Sequence, residues 1–163
     1  MNSITFLIND IVQILKKNHW QLVTAESCTG GLIGAALTEV PGSSDWYERG
    51  FITYSNGAKK DMLGVPEHLL NQFGAVSIEV AEAMVVGALQ HSQGHIAVSV
   101  TGIAGPSGGT PDKPVGTVCF AWLATGAKVK TAQKQFAGDR QAVRLAACQY
   151  ALEGVYSLLK EIH

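Results

Sequence analysis

The sequence predicts a single three-layer α/β/α domain with a mixed sheet, spanning residues 1–163. Amphipathic helical patterns alternate along the chain with short apolar runs that are typical of buried strands, and this alternation indicates helices on both faces of a sheet. The last two predicted strands are joined by a short turn, so part of the sheet should be antiparallel. The 163 residues contain no linker, internal repeat or low-complexity tract, which suits one core.

The first half of the chain contains four predicted helical segments and two predicted strands. Apolar residues recur at helical spacing from Ile4 to Leu15. The Pro41-Gly42 pair ends a second helix, and Asn56-Gly57 marks a turn before a third. The predicted segments, in order, are helix 4–17, strand 21–25, helix 32–40, strand 46–55, helix 58–63 and a helical turn over 66–73.

The second half begins with the clearest helix pattern in the chain. Ser77 is its expected N-cap, and Glu79 and Glu82 lie early in it, where the helix dipole favours acids. A loop rich in Gly and Pro follows the next strand, and Asp139 is the expected N-cap of the last helix. The predicted segments are helix 77–90, strand 95–100, loop 101–113, strand 115–124, the more exposed strand 128–136 and helix 140–160.

Composition and charge exclude several classes of partner. Hydrophobic residues make up 47% of the chain and charged residues 15%, and the net charge is −1 with the basic residues scattered. We therefore expect no nucleic-acid and no membrane partner. The apolar composition with a modest polar surface predicts a homo-oligomer, a dimer or larger. The N-terminus lacks the basic start of a signal peptide.

The cysteines and histidines indicate neither a disulfide framework nor a metal. The three cysteines, Cys28, Cys119 and Cys148, are far apart and fit no CxxC spacing. A reducing cytosol is the simplest setting for them, so we expect a cytoplasmic protein. The five histidines show no ligand spacing, which predicts no metal site. We expect no cofactor.

The stretch LVTAESCTGGLIG at residues 22–34 predicts a strand, a tight turn and a helix. Such a turn directs free backbone N–H groups and a helix dipole at one point, which favours a phosphate, a carboxylate or an oxyanion. Ser27 and Thr29 place hydroxyl groups there, and the geometry resembles a nucleophile elbow without its GxSxG sequence. Either residue could instead cap the helix. Cys28 could be a nucleophile or a small buried side chain.

A second candidate segment, YSNGAKK at residues 54–60, lies at a strand end and helix start. A lysine at such an edge can act as the base for a serine if its pKa is lowered by burial or by a cationic neighbour. Lys59 and Lys60 are adjacent, and both could equally be solvated. Tyr54 could be a packing residue with its hydroxyl at the surface.

Two further segments could bind a ligand. The run VTGIAGPSGG at residues 100–109 can bring backbone close to a ligand because glycine has no Cβ, and Thr101 could contact a ligand oxygen. It matches neither a Walker A nor a dinucleotide-binding spacing, and it could be a plain loop. Arg140 lies in the first turn of the last helix, where the helix dipole disfavours a positive charge. A bound anion would offset this unfavourable interaction, because arginine pairs with phosphate or carboxylate. Arg140 could also be a surface arginine.

Together these motifs resemble the CinA C-terminal domain family. The resemblance lies in AESCTGG, YSN-x-x-K, TGIAGP-x-GG and GDR, which occur in the order of the family and cover nearly the whole chain. It implies a three-layer α/β/α fold and hydrolysis of the carboxamide of nicotinamide mononucleotide to nicotinate mononucleotide and ammonia. Many members carry an additional N-terminal domain, and this chain looks like the single-domain form.

The resemblance also assigns roles by motif position. It places the serine nucleophile on Ser27, the lysine base on Lys59 and the assisting tyrosine on Tyr54. Binding of the nucleotide substrate is expected at Cys28, Thr29, Gly30, Gly31, Thr101, Gly102, Gly105 and Arg140. A non-catalytic nucleotide-binding module and an amidase or esterase for another small substrate remain as alternatives.

Overall fold

The computed structural model describes residues 3–163, so the first two residues of the predicted domain lie outside the described part. Helices and strands follow one another in the predicted order, and a 3₁₀ turn at Ser43–Asp45 precedes the second strand. The elements are α1 (Ser3–Asn18), β1 (Leu22–Glu26), α2 (Leu32–Thr38), β2 (Tyr47–Ile52), α3 (Asn56–Leu63), α4 (Glu67–Phe73), α5 (Ile78–Gln90), β3 (Ile96–Gly102), β4 (Thr117–Ala124), β5 (Lys130–Gln135) and α6 (Arg140–Ile162).

The sheet has the strand order β2-β1-β3-β4-β5 and is mixed. Strand β1 pairs in parallel with β2 on one side and with β3 on the other. Strands β3, β4 and β5 pair antiparallel, as the short turn between the last two strands requires. The predicted α/β fold with a mixed sheet is confirmed.

Helices cover both faces of the sheet. Successive residues of a strand point to opposite faces, so one strand contributes side chains to both apolar clusters. In β1, Leu22 packs into the cluster under α1, α2 and α6, whereas Val23 and Ala25 pack into the cluster under α3, α4 and α5. All five residues of β1 are buried, as expected of a strand in the interior of a parallel arrangement. These two apolar layers hold the strand that leads into Ser27.

Three predicted boundaries differ from the structure near the candidate site. Strand β2 ends at Ile52 and not at Ser55. Thr101 and Gly102 belong to β3 and not to a loop, because they pair with Cys119 and Val118 of β4. Helix α3 begins at Asn56, two residues earlier than predicted, because the Ser55 hydroxyl accepts a hydrogen bond from the Ala58 N–H and caps it.

Helix α6 spans 23 residues and packs along the sheet and α1. Its backbone also binds the sheet, since the Trp122 indole N–H of β4 donates to the Ala151 carbonyl at 2.8 Å. Asp139 caps this helix through the Ala142 N–H, as predicted. None of the helices found in residues 3–163, α6 included, has the length and apolarity needed to cross a bilayer.

Gly154 of α6 faces the buried ring of Trp122, and a Cβ there would overlap the indole. Gly154→Ala should therefore lower the free energy of unfolding by about 1–3 kcal/mol, the usual cost of overpacking. Urea denaturation would measure it. Gly57→Ala in α3 is the control, because its Cβ would meet only the Ser55 hydroxyl, at 3.8 Å, and should be neutral or stabilising. Equal stability of the two variants would contradict the expected clash.

Candidate active site

Three parallel strands end side by side at one edge of the sheet, and the candidate site lies there. Beyond β1 the pairing continues, because the Ser27 N–H donates to the Val100 carbonyl at 3.0 Å and the Thr53 N–H donates to the Glu26 carbonyl at 2.8 Å. A cavity of about 310 Å³ opens at this edge, and Ser27 lies in its wall. The chain leaves β1 for β2 and then crosses back to β3, and such switch points are common ligand sites.

The turn at residues 27–31 exposes Ser27 to the cavity without using it as a helix cap. The turn ends at Gly31, whose φ of 103° is left-handed and which gives α2 no side-chain cap. The N–H groups of Ile33 and Gly34 donate instead to the buried carboxylate of Glu26, at 2.9 and 3.0 Å. The alternative that Ser27 or Thr29 caps the helix is therefore wrong.

Lys59 extends from α3 into the protein and ends against Ser27. Its side chain is only 1% exposed, and its Nζ lies 3.0 Å from the Ser27 Oγ. The same Nζ donates to the carbonyls of Thr53 and Tyr54, both at 3.1 Å. The structure thus brings together the two residues that the sequence predicts as nucleophile and base.

The contacts of Lys59 direct its lone pair when the amine is neutral. A neutral amine has two N–H groups and one lone pair. The Thr53 and Tyr54 carbonyls can only accept, so they hold the two N–H groups. The remaining position faces Ser27 Oγ, to which the charged amine donates at 3.0 Å, while the Ser27 hydroxyl donates to the Tyr54 carbonyl at 3.4 Å. The neutral amine can accept the Ser27 proton at this position, as a general base requires.

Burial lowers the pKa of Lys59 from its ordinary value of 10.5, because the charged form loses solvation. The neighbouring Cys28 acts in the opposite direction and is the smaller effect. Lys60 points outward and forms an exposed ion pair with Glu67 at 3.1 Å. Of the two causes expected from the sequence, burial lowers this pKa, and Lys60 is not among the groups that shift it.

Tyr54 contributes its main chain to the Ser27–Lys59 pair and its side chain to Arg140. The Tyr54 side chain is 61% exposed, and its hydroxyl accepts a hydrogen bond from Arg140 Nη2 at 3.2 Å. Arg140 Nη1 donates to the Gly105 carbonyl at 2.8 Å. Arg140, Tyr54 and Gly105 therefore lie together at the cavity wall, and the predicted catalytic role of the phenol stays a prediction.

Cys28, Thr101 and Gly102 line the same cavity. Burial raises the pKa of the Cys28 thiol to about 11, so it stays protonated near neutral pH and is a poor nucleophile. The Thr101 hydroxyl donates to the Ala75 carbonyl at 2.8 Å, which leaves only its lone pairs for a ligand. A Cβ on Gly102 would lie 2.7 Å from Val118, so glycine permits the close packing there.

Thr29, Gly30 and Gly31 lie outside the cavity wall. Thr29 is fully buried, and within residues 3–163 its hydroxyl has no hydrogen-bond partner. The Gly30 N–H already donates to the Ser27 carbonyl at 3.0 Å. The predicted substrate contacts of these three residues stay predictions. Whether or not they contact a substrate, they form the turn that follows Ser27.

Sequence reasoning missed two residues that hold the turn. Glu26 binds the start of α2, and no local motif signals a carboxylate that reaches seven residues ahead. Arg144 of α6 donates to the carbonyls of Cys28 and Thr29, both at 3.1 Å. Its signal was available, since it lies four residues after Arg140 and therefore on the same helix face.

The fold and the site define an α/β domain with a buried Ser–Lys pair suited to acyl transfer on an amide or ester. The model of the CinA C-terminal domain matches residues 4–159, and the chain belongs to this family. The resemblance recognised from the sequence motifs is thereby confirmed.

Curated relatives of similar length carry the name nicotinamide-nucleotide amidohydrolase PncC. The protein of Pseudomonas putida is 52% identical over 97% of this chain and 98% of its own length. That of Enterobacter agglomerans is 51% identical over 88% of each chain. That of Escherichia coli strain K12 is 48% identical over 92% of this chain and 91% of its own length.

Solved structures share the fold. The competence/damage inducible protein CihA from Agrobacterium tumefaciens has a TM-score of 0.95 and 45% identity, covering 97% of this chain and 96% of its own. The competence damage-inducible protein A from Klebsiella pneumoniae has a TM-score of 0.94 and 36% identity, covering 99% of this chain and all of its own. The three-layer architecture is therefore that of the family.

Proposed function

We propose that this chain is a nicotinamide-nucleotide amidohydrolase that converts nicotinamide mononucleotide to nicotinate mononucleotide and ammonia. The observation that carries the proposal is the buried contact of 3.0 Å between Lys59 Nζ and Ser27 Oγ. The names of relatives about half identical in sequence support the substrate. Ammonia release from nicotinamide mononucleotide tests the proposal directly.

In the acylation step, neutral Lys59 takes the proton of the Ser27 hydroxyl while Oγ attacks the carboxamide carbon. The carbonyl π electrons move to oxygen, which gives a tetrahedral oxyanion. Protonated Lys59 then donates its proton to the amide nitrogen as the carbon–nitrogen bond breaks. Ammonia leaves, and the nicotinoyl group is held on Ser27 as an ester.

Deacylation repeats these steps with water. Lys59, neutral again, takes a proton from a water molecule whose oxygen attacks the ester carbon. Collapse of the second tetrahedral intermediate breaks the bond to Ser27 Oγ, which recovers its proton from Lys59. The product acid leaves as nicotinate mononucleotide, and every proton passes through one lysine.

Arg140 supplies a cation for the phosphate at the cavity wall. The structure uses two of its five N–H groups, one to Gly105 and one to Tyr54, so the others are free for an anion. No carboxylate within residues 3–163 pairs with it. Its charge is thus available to a phosphate or to a carboxylate.

Two outcomes of the ammonia assay would favour other functions. Binding of nicotinamide mononucleotide in a thermal-shift assay without ammonia release would indicate a nucleotide-binding module. Turnover of other amides or esters but not of this nucleotide would indicate a different amidase or esterase. Release of ammonia from the nucleotide, in amounts that match nicotinate mononucleotide formed, supports the proposal.

Ser27→Ala should abolish turnover and leave nucleotide binding nearly intact. The loss follows because the variant has no nucleophile and retains only catalysis from binding and oxyanion stabilisation. Ammonia release and a thermal shift with nicotinamide mononucleotide measure the two properties. Near-normal rates in the variant would overturn the assignment of Ser27.

Lys59→Met should abolish the pH dependence of turnover together with most of the activity. In the wild type, Lys59 is protonated and inactive as a base below its lowered pKa, so the rate should rise with pH and level off above it. Lys60→Ala is the matched control, because Lys60 pairs with Glu67 at the surface and should be dispensable.

Stability gives a second measure of the same lysine. Between the lowered pKa of folded Lys59 and the ~10.4 of an unfolded lysine, only the unfolded state binds the proton, so wild-type stability should rise with pH. Lys59→Met should lack this rise. An active Lys59→Met with an inactive Lys60→Ala would show that the base is the other lysine.

Arg140→Ala should weaken binding of nicotinamide mononucleotide by about 2 kcal/mol, the lower end for a lost charged contact, because Arg140 is solvent-exposed. The phosphate-free riboside reports only the loss of the contacts to Gly105 and Tyr54 and should change little. The dissociation constants of the mononucleotide and the riboside, for the wild type and for Arg140→Ala, measure both effects. Equal losses would mean that Arg140 does not contact the phosphate.

A further inference from the structure

Arg144 lies one turn after Arg140 on α6 and contacts the turn that carries Ser27. Its Nε donates to the Cys28 carbonyl and its Nη2 to the Thr29 carbonyl, both at 3.1 Å. Arg144 does not line the cavity, so it is not placed to touch a substrate. Within residues 3–163 it has no carboxylate partner, so its guanidinium is committed to the backbone of the turn.

These bonds complete the fixing of three consecutive peptide planes. The Ser27 carbonyl accepts from the Gly30 N–H at 3.0 Å, and the Thr29 carbonyl accepts both from the Leu32 N–H at 3.0 Å and from Arg144. The Cys28 carbonyl is held by Arg144. In a trans peptide, each carbonyl and the following N–H point in opposite directions. Fixing the three carbonyls therefore also fixes the directions of the N–H groups of Cys28, Thr29 and Gly30.

The N–H of Cys28 is the donor best placed to meet an oxyanion. It follows the nucleophile directly, which is the position that supplies one oxyanion donor in a nucleophile elbow. Cys28 also lines the cavity, whereas the Gly30 N–H is already bonded to Ser27. The Thr29 N–H points away from Arg144 and has no acceptor among residues 3–163, but Thr29 lies outside the cavity wall. Cys28 is therefore the better candidate.

We propose that Arg144 is a positioning residue, whose two-point contact with the Cys28 and Thr29 carbonyls holds the turn in the orientation that stabilises the oxyanion. The inference rests on the proposed acyl transfer at Ser27. The planar fork of arginine can hold two carbonyls at once, which the single ammonium of lysine does far less rigidly. Loss of this hold should impair the transition state more than substrate binding.

Arg144→Gln should lower kcat by roughly 10- to 100-fold, less than the loss of an oxyanion donor itself, with KM changed by less than about threefold. The pH at which the rate rises should stay in place, because that ionisation belongs to Lys59 and Arg144 is not among the groups that shift it. Initial rates across pH with nicotinamide mononucleotide measure all three quantities.

Arg144→Lys separates geometry from charge. It keeps the cation but loses the fork, so its kcat should also fall; full activity would show that charge alone suffices and would overturn the proposal. Arg49→Gln is the matched control, since Arg49 also donates to a backbone carbonyl, that of His91 at 2.9 Å, on the exposed β2 edge. Melting temperatures verify that each variant is folded, and unchanged kcat in folded Arg144→Gln overturns the proposal.

An activated ester separates this inference from the proposed function. Attack of Ser27 on p-nitrophenyl acetate needs the oxyanion donors but no nucleotide, and it releases p-nitrophenolate. If the wild type leaves nicotinamide mononucleotide intact but reacts with the ester, the substrate proposal fails, and a slower Arg144→Gln still supports the positioning role. A wild type that reacts with neither compound overturns both.

Discussion

A lysine amine buried between strand ends is the constraint on which the rest of the site depends. Burying an ammonium group without a carboxylate is costly, so burial lowers the pKa of Lys59. Its nitrogen is satisfied by Ser27 and by the carbonyls of Thr53 and Tyr54. Ser27, Thr53 and Tyr54 lie beyond the ends of β1 and β2. The Lys59 amine can therefore contact all three only when these two strands pair.

The orientation of α3 decides which lysine enters the site. Ser55 caps the helix, and Lys59 and Leu63, four residues apart, form its buried face. Neighbouring helical residues point about 100° apart, so a phase that turns Lys59 inward turns Lys60 outward to Glu67. The buried face of α3 therefore carries the lysine that contacts Ser27.

Most of the fold was predictable from sequence because helical periodicity and apolar runs are local signals, whereas the site depends on distant contacts. The end of β3 was missed because the pairing of Thr101 and Gly102 with β4 lies in another part of the chain. Ser27 and Lys59 are individually ordinary residues, and only the family motifs joined them. Glu26 had no local signal, because its contact with α2 depends on the shape of the turn.

The position of Glu26 determines which groups at the site are available to stabilise negative charge. Because its carboxylate accepts the first free N–H groups of α2, the positive end of that helix is satisfied within the protein and is not available to a ligand. In the proposed acyl transfer, negative charge that develops beside Ser27 is then stabilised by the backbone of the turn and by Lys59 once it is protonated. On this proposal α2 supports the nucleophile, and the cationic groups that would interact with the ligand, protonated Lys59 and Arg140, come from α3 and α6.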